Sequence, residues 1–209
     1  MEQLKLCLVT DRTQTRGRDL LAVVSECLAA GLPSVQLREK DLGPPELLQL
    51  ARDLRGPTAA ARAWLIVNDR ADVALAARAD GVQRTHASLS VEDLHVIGDK
   101  RLRIGASVHS LEDAREAARA GADWLVFGPV YDTPSKRRYG PPQGLSALGL
   151  VARHVDIPVI AIGGITPERV AEVRAAGASG VAAISAILAA NSPAAVTRRF
   201  LAALDAAER

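Results

Sequence analysis

The amino-acid sequence predicts an α/β fold, a single (β/α)8 TIM barrel spanning residues 1–209. Three observations predict it. Eight short β-branched runs recur along the chain, apolar on both faces, as parallel strands covered by helices are. Amphipathic, alanine-rich segments lie between them. No G-x-G-x-x-G follows the first run, so the doubly wound open sheet lacks its usual fingerprint.

The strand-like runs fall at 5–10, 34–39, 64–68, 81–85, 103–108, 124–130, 158–163 and 180–187. Helical segments include 19–30, 45–54, 111–120, 167–176 and 194–207. Gly31, Gly121 and Gly177 each follow a helical stretch, where a left-handed residue closes a helix. Ser110 before Leu111-Glu112-Asp113, and Thr166 before Pro167-Glu168, are helix-start signals. No linker or composition break divides the chain. The length is short for a barrel, so most loops must be short.

Composition excludes several classes. Aromatic residues are 3% of the chain, too few for base-stacking platforms, and the basic residues that leave a net charge of +2 are interleaved with acidic ones. Nucleic acid is therefore not an expected partner. No apolar run approaches the roughly 18 residues of a membrane span. Residues 1–5 lead straight into the first strand and do not read as a signal peptide. Two cysteines, Cys7 and Cys27, cannot build a disulfide framework or a four-cysteine zinc site. Both lie in apolar stretches, so buried free thiols in a cytoplasmic protein are expected. A core of Ala, Val, Leu and Ile must pack as regular layers, and alanine-rich helices permit a homodimer.

A barrel builds its site from the C-terminal ends of its strands. Strand 2 ends in Gln36, Arg38 and Lys40, which alternation places on one face. Two cations in a barrel mouth call for an anionic ligand or an acidic partner. Strand 3 ends in Asn68 and Asp69; Asp69 either ligates Mg²⁺ or pairs with Arg38 or Lys40. Strand 5 ends in Ser107 and His109, the latter either a general acid/base or a helix-start residue bonded to backbone. His86 is a second candidate, while His95 and His154 read as surface residues of helices. Gly163 and Gly164 after strand 7, with Ser185 and Ala186 after strand 8, match the phosphate site many barrels build there. Two ordinary turn glycines are the alternative. Thr133, Ser135 and Lys136 sit in a loop at 133–144 that suits a lid. Arg38, Lys40, Arg84 and Lys136 are expected to converge on the mouth.

Several blocks, in order, carry a family resemblance. They are Leu8-Val9-Thr10-Asp11, Gln36-Leu37-Arg38-Glu39-Lys40, Asn68-Asp69-Arg70, Gly105-Ala106-Ser107-Val108-His109, Phe127-Gly128-Pro129-Val130 with Thr133-Pro134-Ser135-Lys136, and Ala161-Ile162-Gly163-Gly164-Ile165. Together the chain resembles the thiamine phosphate synthase and TenI superfamily, whose barrels bind a thiazole phosphate. In the synthase branch, the resemblance implies that Gln36, Arg38, Lys40, Asn68 and Lys136 hold the pyrimidine diphosphate and that Asp69 binds Mg²⁺. The family's pattern after strand 4 carries a histidine and a second metal-binding Asp; this chain has Gln83 and Ser88 there. A metal held by one carboxylate would neutralise a leaving diphosphate poorly.

That departure points the expectation to the TenI branch: a thiazole tautomerase, needing no cofactor. His109 would move the proton, Arg38 or Lys40 would meet the substrate carboxylate, and Gly163, Gly164, Ser185 and Thr133 would hold the phosphate of the thiazole. The alternatives are a Mg²⁺-dependent synthase and a non-catalytic thiazole-phosphate-binding protein.

Overall fold

The computed structural model describes residues 2–99, 101–133 and 141–208. Eight parallel strands close into a barrel in sequence order. They are β1 (Leu6–Val9), β2 (Ser34–Leu37), β3 (Trp64–Asn68), β4 (Gly81–Arg84), β5 (Arg103–Val108), β6 (Trp124–Phe127), β7 (Val159–Ile162) and β8 (Gly180–Ala183). The helices are α1 (Leu20–Ala29), α2 (Pro44–Ala60), α3 (Ala71–Ala76), α4 (Val91–Gly98), α5 (Leu111–Arg119), α6 (Gly144–Ala152), α7 (Val170–Ala175), α8 (Ser185–Leu188) and α9 (Pro193–Glu208). The predicted (β/α)8 TIM barrel is therefore the observed fold.

Alternation along each strand sorts side chains into two cores. Leu6, Leu8, Val35, Leu37, Leu65 and Val67 face outward into the larger core beneath the helices. Cys7, Val9, Ile66, Trp124, Val126, Ile160 and Ala182 face inward. Closure at β1–β8 pairs Cys7 with Ala182, and β1–β2 pairs Cys7 with Ser34. The Trp64 and Trp124 rings lie 6.1 Å apart, and the Arg103 guanidinium stacks 4.4 Å above Trp64. The N-terminal side of the interior is thus aromatic, and the C-terminal side is polar.

The capping signals mostly hold. Gly31, Gly121 and Gly177 adopt φ between 93° and 102°, the left-handed turn expected of them. The Ser110 hydroxyl accepts from the Asp113 amide at the start of α5. Thr166 is extended before a short 3-10 turn but makes no side-chain cap bond, because Pro167 already supplies the first-turn geometry.

Three boundaries differ most from expectation. The run at 124–130 ends as strand at Phe127, because Gly128 packs against the Ile162 carbonyl and Pro129 donates no ladder bond. The run at 180–187 leaves the sheet after Ala183 and turns into α8. The helix at 45–54 continues to Ala60 through Pro57; the Thr58 hydroxyl donates to the carbonyls of Leu54 (2.9 Å) and Arg55 (3.1 Å) around it. His95 is half-buried rather than a surface residue, bonded through Nε2 to the Gly121 carbonyl at 2.9 Å. His154 is exposed just beyond α6.

Gly105 is a point where packing forbids a side chain. A Cβ there would lie 2.2 Å from Trp124 Cε2 and 2.3 Å from Gln83 Oε1. Gly105→Ala is expected to lower stability by about 2 kcal/mol or more, because neither neighbour is the loose end of a flexible chain. Gly56→Ala, with nothing within 4 Å inside α2, is expected to be neutral or stabilising by roughly 0.5–1 kcal/mol. Urea denaturation of both variants checks this; equal midpoints would contradict it. Cys7 and Cys27 are free and buried, and burial pushes the Cys7 thiol up to about 11. A thiol reagent at neutral pH is expected to modify neither in the native protein and both in denaturant. Rapid native labelling would contradict the placement.

Candidate active site

The first two loops at the C-terminal face are clamped together. The Arg12 backbone N–H donates to both oxygens of Glu39, and its guanidinium reaches Glu39 at 3.2 Å and forks onto Asp41 at 2.7 Å. Glu39 is almost fully buried, so these donors take the place of its hydration. Hydrogen bonding from Arg12 holds the Asp41 carboxyl below its usual range. The clamp fixes the segment that carries Arg38 and Lys40. The Arg38 amide also donates to Thr10 Oγ1 at 2.9 Å. Arg38 is half-buried and Lys40 exposed. Burial raises the Asp11 carboxyl, but hydrogen bonds from Thr13 and Gln14, with the Arg38 charge, outweigh it and hold the carboxyl low.

Gln36 and Asn68, at the ends of neighbouring strands, are joined by a 3.0 Å bond from Gln36 Nε2 to Asn68 Oδ1. Asp69 follows with φ 69°, a left-handed conformation that a short Asp side chain tolerates. Its amide donates to the Gln83 carbonyl at 2.9 Å. Ser88 Oγ donates to Asp69 Oδ1 and in turn accepts from the Thr85 amide at 2.8 Å. Ser88, at the place of the family pattern's second carboxylate, therefore stands beside Asp69. No group of three or more His, Cys, Asp or Glu side chains that could hold a metal ion occurs among the described residues. One carboxylate beside one hydroxyl is still an all-oxygen donor set. Mg²⁺ needs little more from a protein, because it keeps waters and substrate phosphates as its other ligands. The residues present fit Mg²⁺.

At β4 and β5, Gln83 points inward and is buried. The Trp124 indole N–H donates to Gln83 Oε1 at 2.9 Å, and Gln83 Nε2 donates to Ser107 Oγ at 3.0 Å. Arg84 lies on the opposite face of β4, and its Nε donates to the Leu89 carbonyl at 3.3 Å. It borders a cavity of about 150 Å³ that lies between α4 and α5, lined by Val91, Glu92, Asp113, Glu116 and Ala117 together with His86, Ser107 and His109. His109 is exposed; its amide donates to Asp113 at 3.2 Å and its Nδ1 bonds the Gly128 carbonyl at 2.5 Å. A carbonyl only accepts, so Nδ1 carries the proton of that bond.

The loops after β6 and β7 are stitched to each other. The amides of Val130 and Tyr131 donate to the carbonyls of Ile162 (2.8 Å) and Gly163 (3.0 Å). Gly163 and Gly164 have φ of 100° and 67°. A Cβ on Gly163 would lie 2.6 Å from Pro129 Cα, and one on Gly164 would lie 2.8 Å from Tyr131 Cβ. This packing accounts for both glycines. Tyr131 donates to Glu172 at 2.5 Å beneath the Arg169 guanidinium, and burial with the Glu172 contact pushes its hydroxyl up to about 12. Tyr131 thereby anchors the approach to Thr133, whose Oγ1 is buried with no hydrogen-bond partner among the described residues. Ser185 is exposed and Ala186 half-buried at the start of α8, directly after β8. Ser135 and Lys136 lie outside the described residues, as does most of the expected lid.

Sequence reasoning missed three participants. Gln83 reads there only as a departure from a pattern, Ser88 only as a lost ligand, and Glu39 only as part of a motif. The inward register of Gln83, alternating with Gly81 and adjacent to Ser107, was the available signal.

The family model described as thiamine monophosphate synthase, TMP-TENI, matches residues 6–187. A thiamine-phosphate synthase of Roseiflexus castenholzii is 44% identical over 192 residues, covering 91% of this chain and 84% of the relative. One of Chloroflexus aurantiacus is 41% identical over 199 residues, covering 95% and 91%. The solved structure of thiamine phosphate pyrophosphorylase from Pyrococcus furiosus superposes with a TM-score of 0.91 at 36% identity, covering 99% of this chain and 98% of that one. These relatives overturn the expectation of a thiazole tautomerase and favour the synthase alternative. The proton-transfer role expected of His109 falls with it. The expectation gave too much weight to Ser88, one departure that still leaves a donor set fit for Mg²⁺. Similarity over almost the whole length and a matching barrel lead to one conclusion: the chain belongs to the thiamine monophosphate synthase (TMP-TENI) family.

Proposed function

We propose that this chain, as one barrel domain over residues 1–209, is a thiamine phosphate synthase. It joins a hydroxymethylpyrimidine diphosphate to a thiazole phosphate and releases diphosphate. The observation that carries this reading is the near full-length similarity to relatives bearing that name.

The geometry supports a division of roles. The bonded amides of Gln36 and Asn68 offer paired donors and acceptors to a pyrimidine edge. Arg38 and Lys40 supply cations for the diphosphate, as an anion leaving a low-dielectric site requires, and the family resemblance adds Lys136, which lies outside the described residues. Asp69 and Ser88 would hold Mg²⁺, which when bound supplies charge neutralisation for the leaving diphosphate. Gly163 and Gly164 beside the short helix at Ser185 and Ala186 follow the common barrel plan for a phosphate. The buried Thr133 hydroxyl is the kind of group that a ligand oxygen satisfies, and the family resemblance adds Ser135, two residues on in sequence.

Incubation with both substrates and Mg²⁺ tests the reading. Thiamine phosphate is expected to form, chelation of the metal to suppress it, and Asp69→Asn to lower kcat/KM by roughly 10²-fold. No product from the wild type at saturating Mg²⁺, or an undiminished Asp69→Asn, would overturn it.

A further inference from the structure

The hydrogen bonds at the barrel centre run in one direction. Trp124 is fully buried, and its indole N–H can only donate. The atom of Gln83 facing it at 2.9 Å must therefore be the carboxamide oxygen. That fixes the other end: Nε2 faces Ser107 Oγ at 3.0 Å and donates to it. The amide cannot rotate by 180° without placing two N–H donors against each other. Ser107 Oγ is thus occupied as an acceptor, and its own proton is left to donate elsewhere. Ser107 is half-buried at the end of β5, on the same inward face as Gly105, and it also borders a cavity lined mainly from α4 and α5 by Val91, Glu92, Asp113, Glu116 and Ala117.

The neighbouring sequence is arranged around this pair. A Cβ on Gly105 would lie 2.3 Å from both Trp124 Nε1 and Gln83 Oε1. A Cβ on Gly81 would lie 3.1 Å from the far edge of the Trp124 ring. Two glycines on adjacent strands clear the space in which the indole and the carboxamide meet.

We infer that Gln83 is a positioning residue for the reaction: held by Trp124, it orients the Ser107 hydroxyl to donate to an acceptor atom of the substrate over the ends of β4 and β5. Gln83 touches no substrate itself. The inference rests on the synthase reading for the reaction measured.

Three variants test it with kcat and KM measured separately. Gln83→Met keeps the length and volume but can neither accept from Trp124 nor donate to Ser107. It is expected to lower kcat about tenfold. Gln83→His restores one acceptor and one donor in a neutral ring, and is expected to recover most of that loss. In a Ser107→Ala background, Gln83→Met is expected to cost little more, since the group it orients is gone. A purely structural role would show as lowered stability with additive kinetic losses and no preference for His over Met. Thermal denaturation of each variant, and the exchange rate of the Trp124 indole proton by NMR, read the bond without turnover. The indole proton is expected to exchange slowly in the wild type and in Gln83→His, and faster in Gln83→Met. If the wild type turns over and Gln83→Met matches its kcat, or the losses add, the positioning role alone is overturned. If the indole proton exchanges as fast in the wild type as in Gln83→Met, it is also overturned. If the wild type forms no thiamine phosphate, the synthase reading fails and the positioning role fails with it.

Discussion

A buried indole N–H has to find an acceptor, and in this barrel it finds one carboxamide. Leaving that donor unmade would cost about 1–3 kcal/mol. Trp124 occupies the centre of a chain with few aromatic residues, so the small residues around it are set by its shape. Gly105 and Gly81 yield the volume, and Gln83 yields the oxygen. What lies toward the N-terminal side is apolar and aromatic. What lies toward the C-terminal side is Gln36, Asn68, Gln83 and Ser107, a polar layer with its amides already paired. The interior thus changes from core to floor of a site within the length of a strand.

Above that floor the loops are held by separate devices. The Glu39–Arg12–Asp41 clamp couples the ends of β1 and β2, and the Ser88–Asp69 contact couples β3 to the loop after β4. The Tyr131–Glu172 bond and the glycine packing couple β6 to β7. Each device joins one strand end to another, which is how a barrel holds a ligand with residues far apart in sequence. A charged clamp of this kind is weak evidence of stability, because Glu39 gives up hydration to make it. Its effect is to hold Arg38 and Lys40 on one short segment.

The strands were legible because parallel strands buried on both faces read as unbroken apolar runs. The ends of β6 and β8 were less so, since Val130 and Ile187 are as apolar as strand residues yet lie in a loop and in α8. Gln36, Asn68 and Ser107 were legible from their inward register at strand ends. Gln83 has the same inward register, but its pairing with Trp124, 41 residues away, was not legible, because only the fold brings the two together. Ser88 misled in the opposite direction. Read alone, it is a lost carboxylate; in the fold it is an oxygen donor beside Asp69. Whole-length similarity, which no single strand end carries, is what favours the synthase branch over the tautomerase branch.

A crystal structure of the chain with thiamine phosphate, diphosphate and Mg²⁺ tests the central claim most directly. The account predicts diphosphate over the ends of β2 and β3, the metal on Asp69, and the Gln83 carboxamide still bonded to Trp124 with Ser107 Oγ within 3.2 Å of a ligand acceptor. A ligand seated elsewhere, or Ser107 turned back to donate to Gln83, would contradict it.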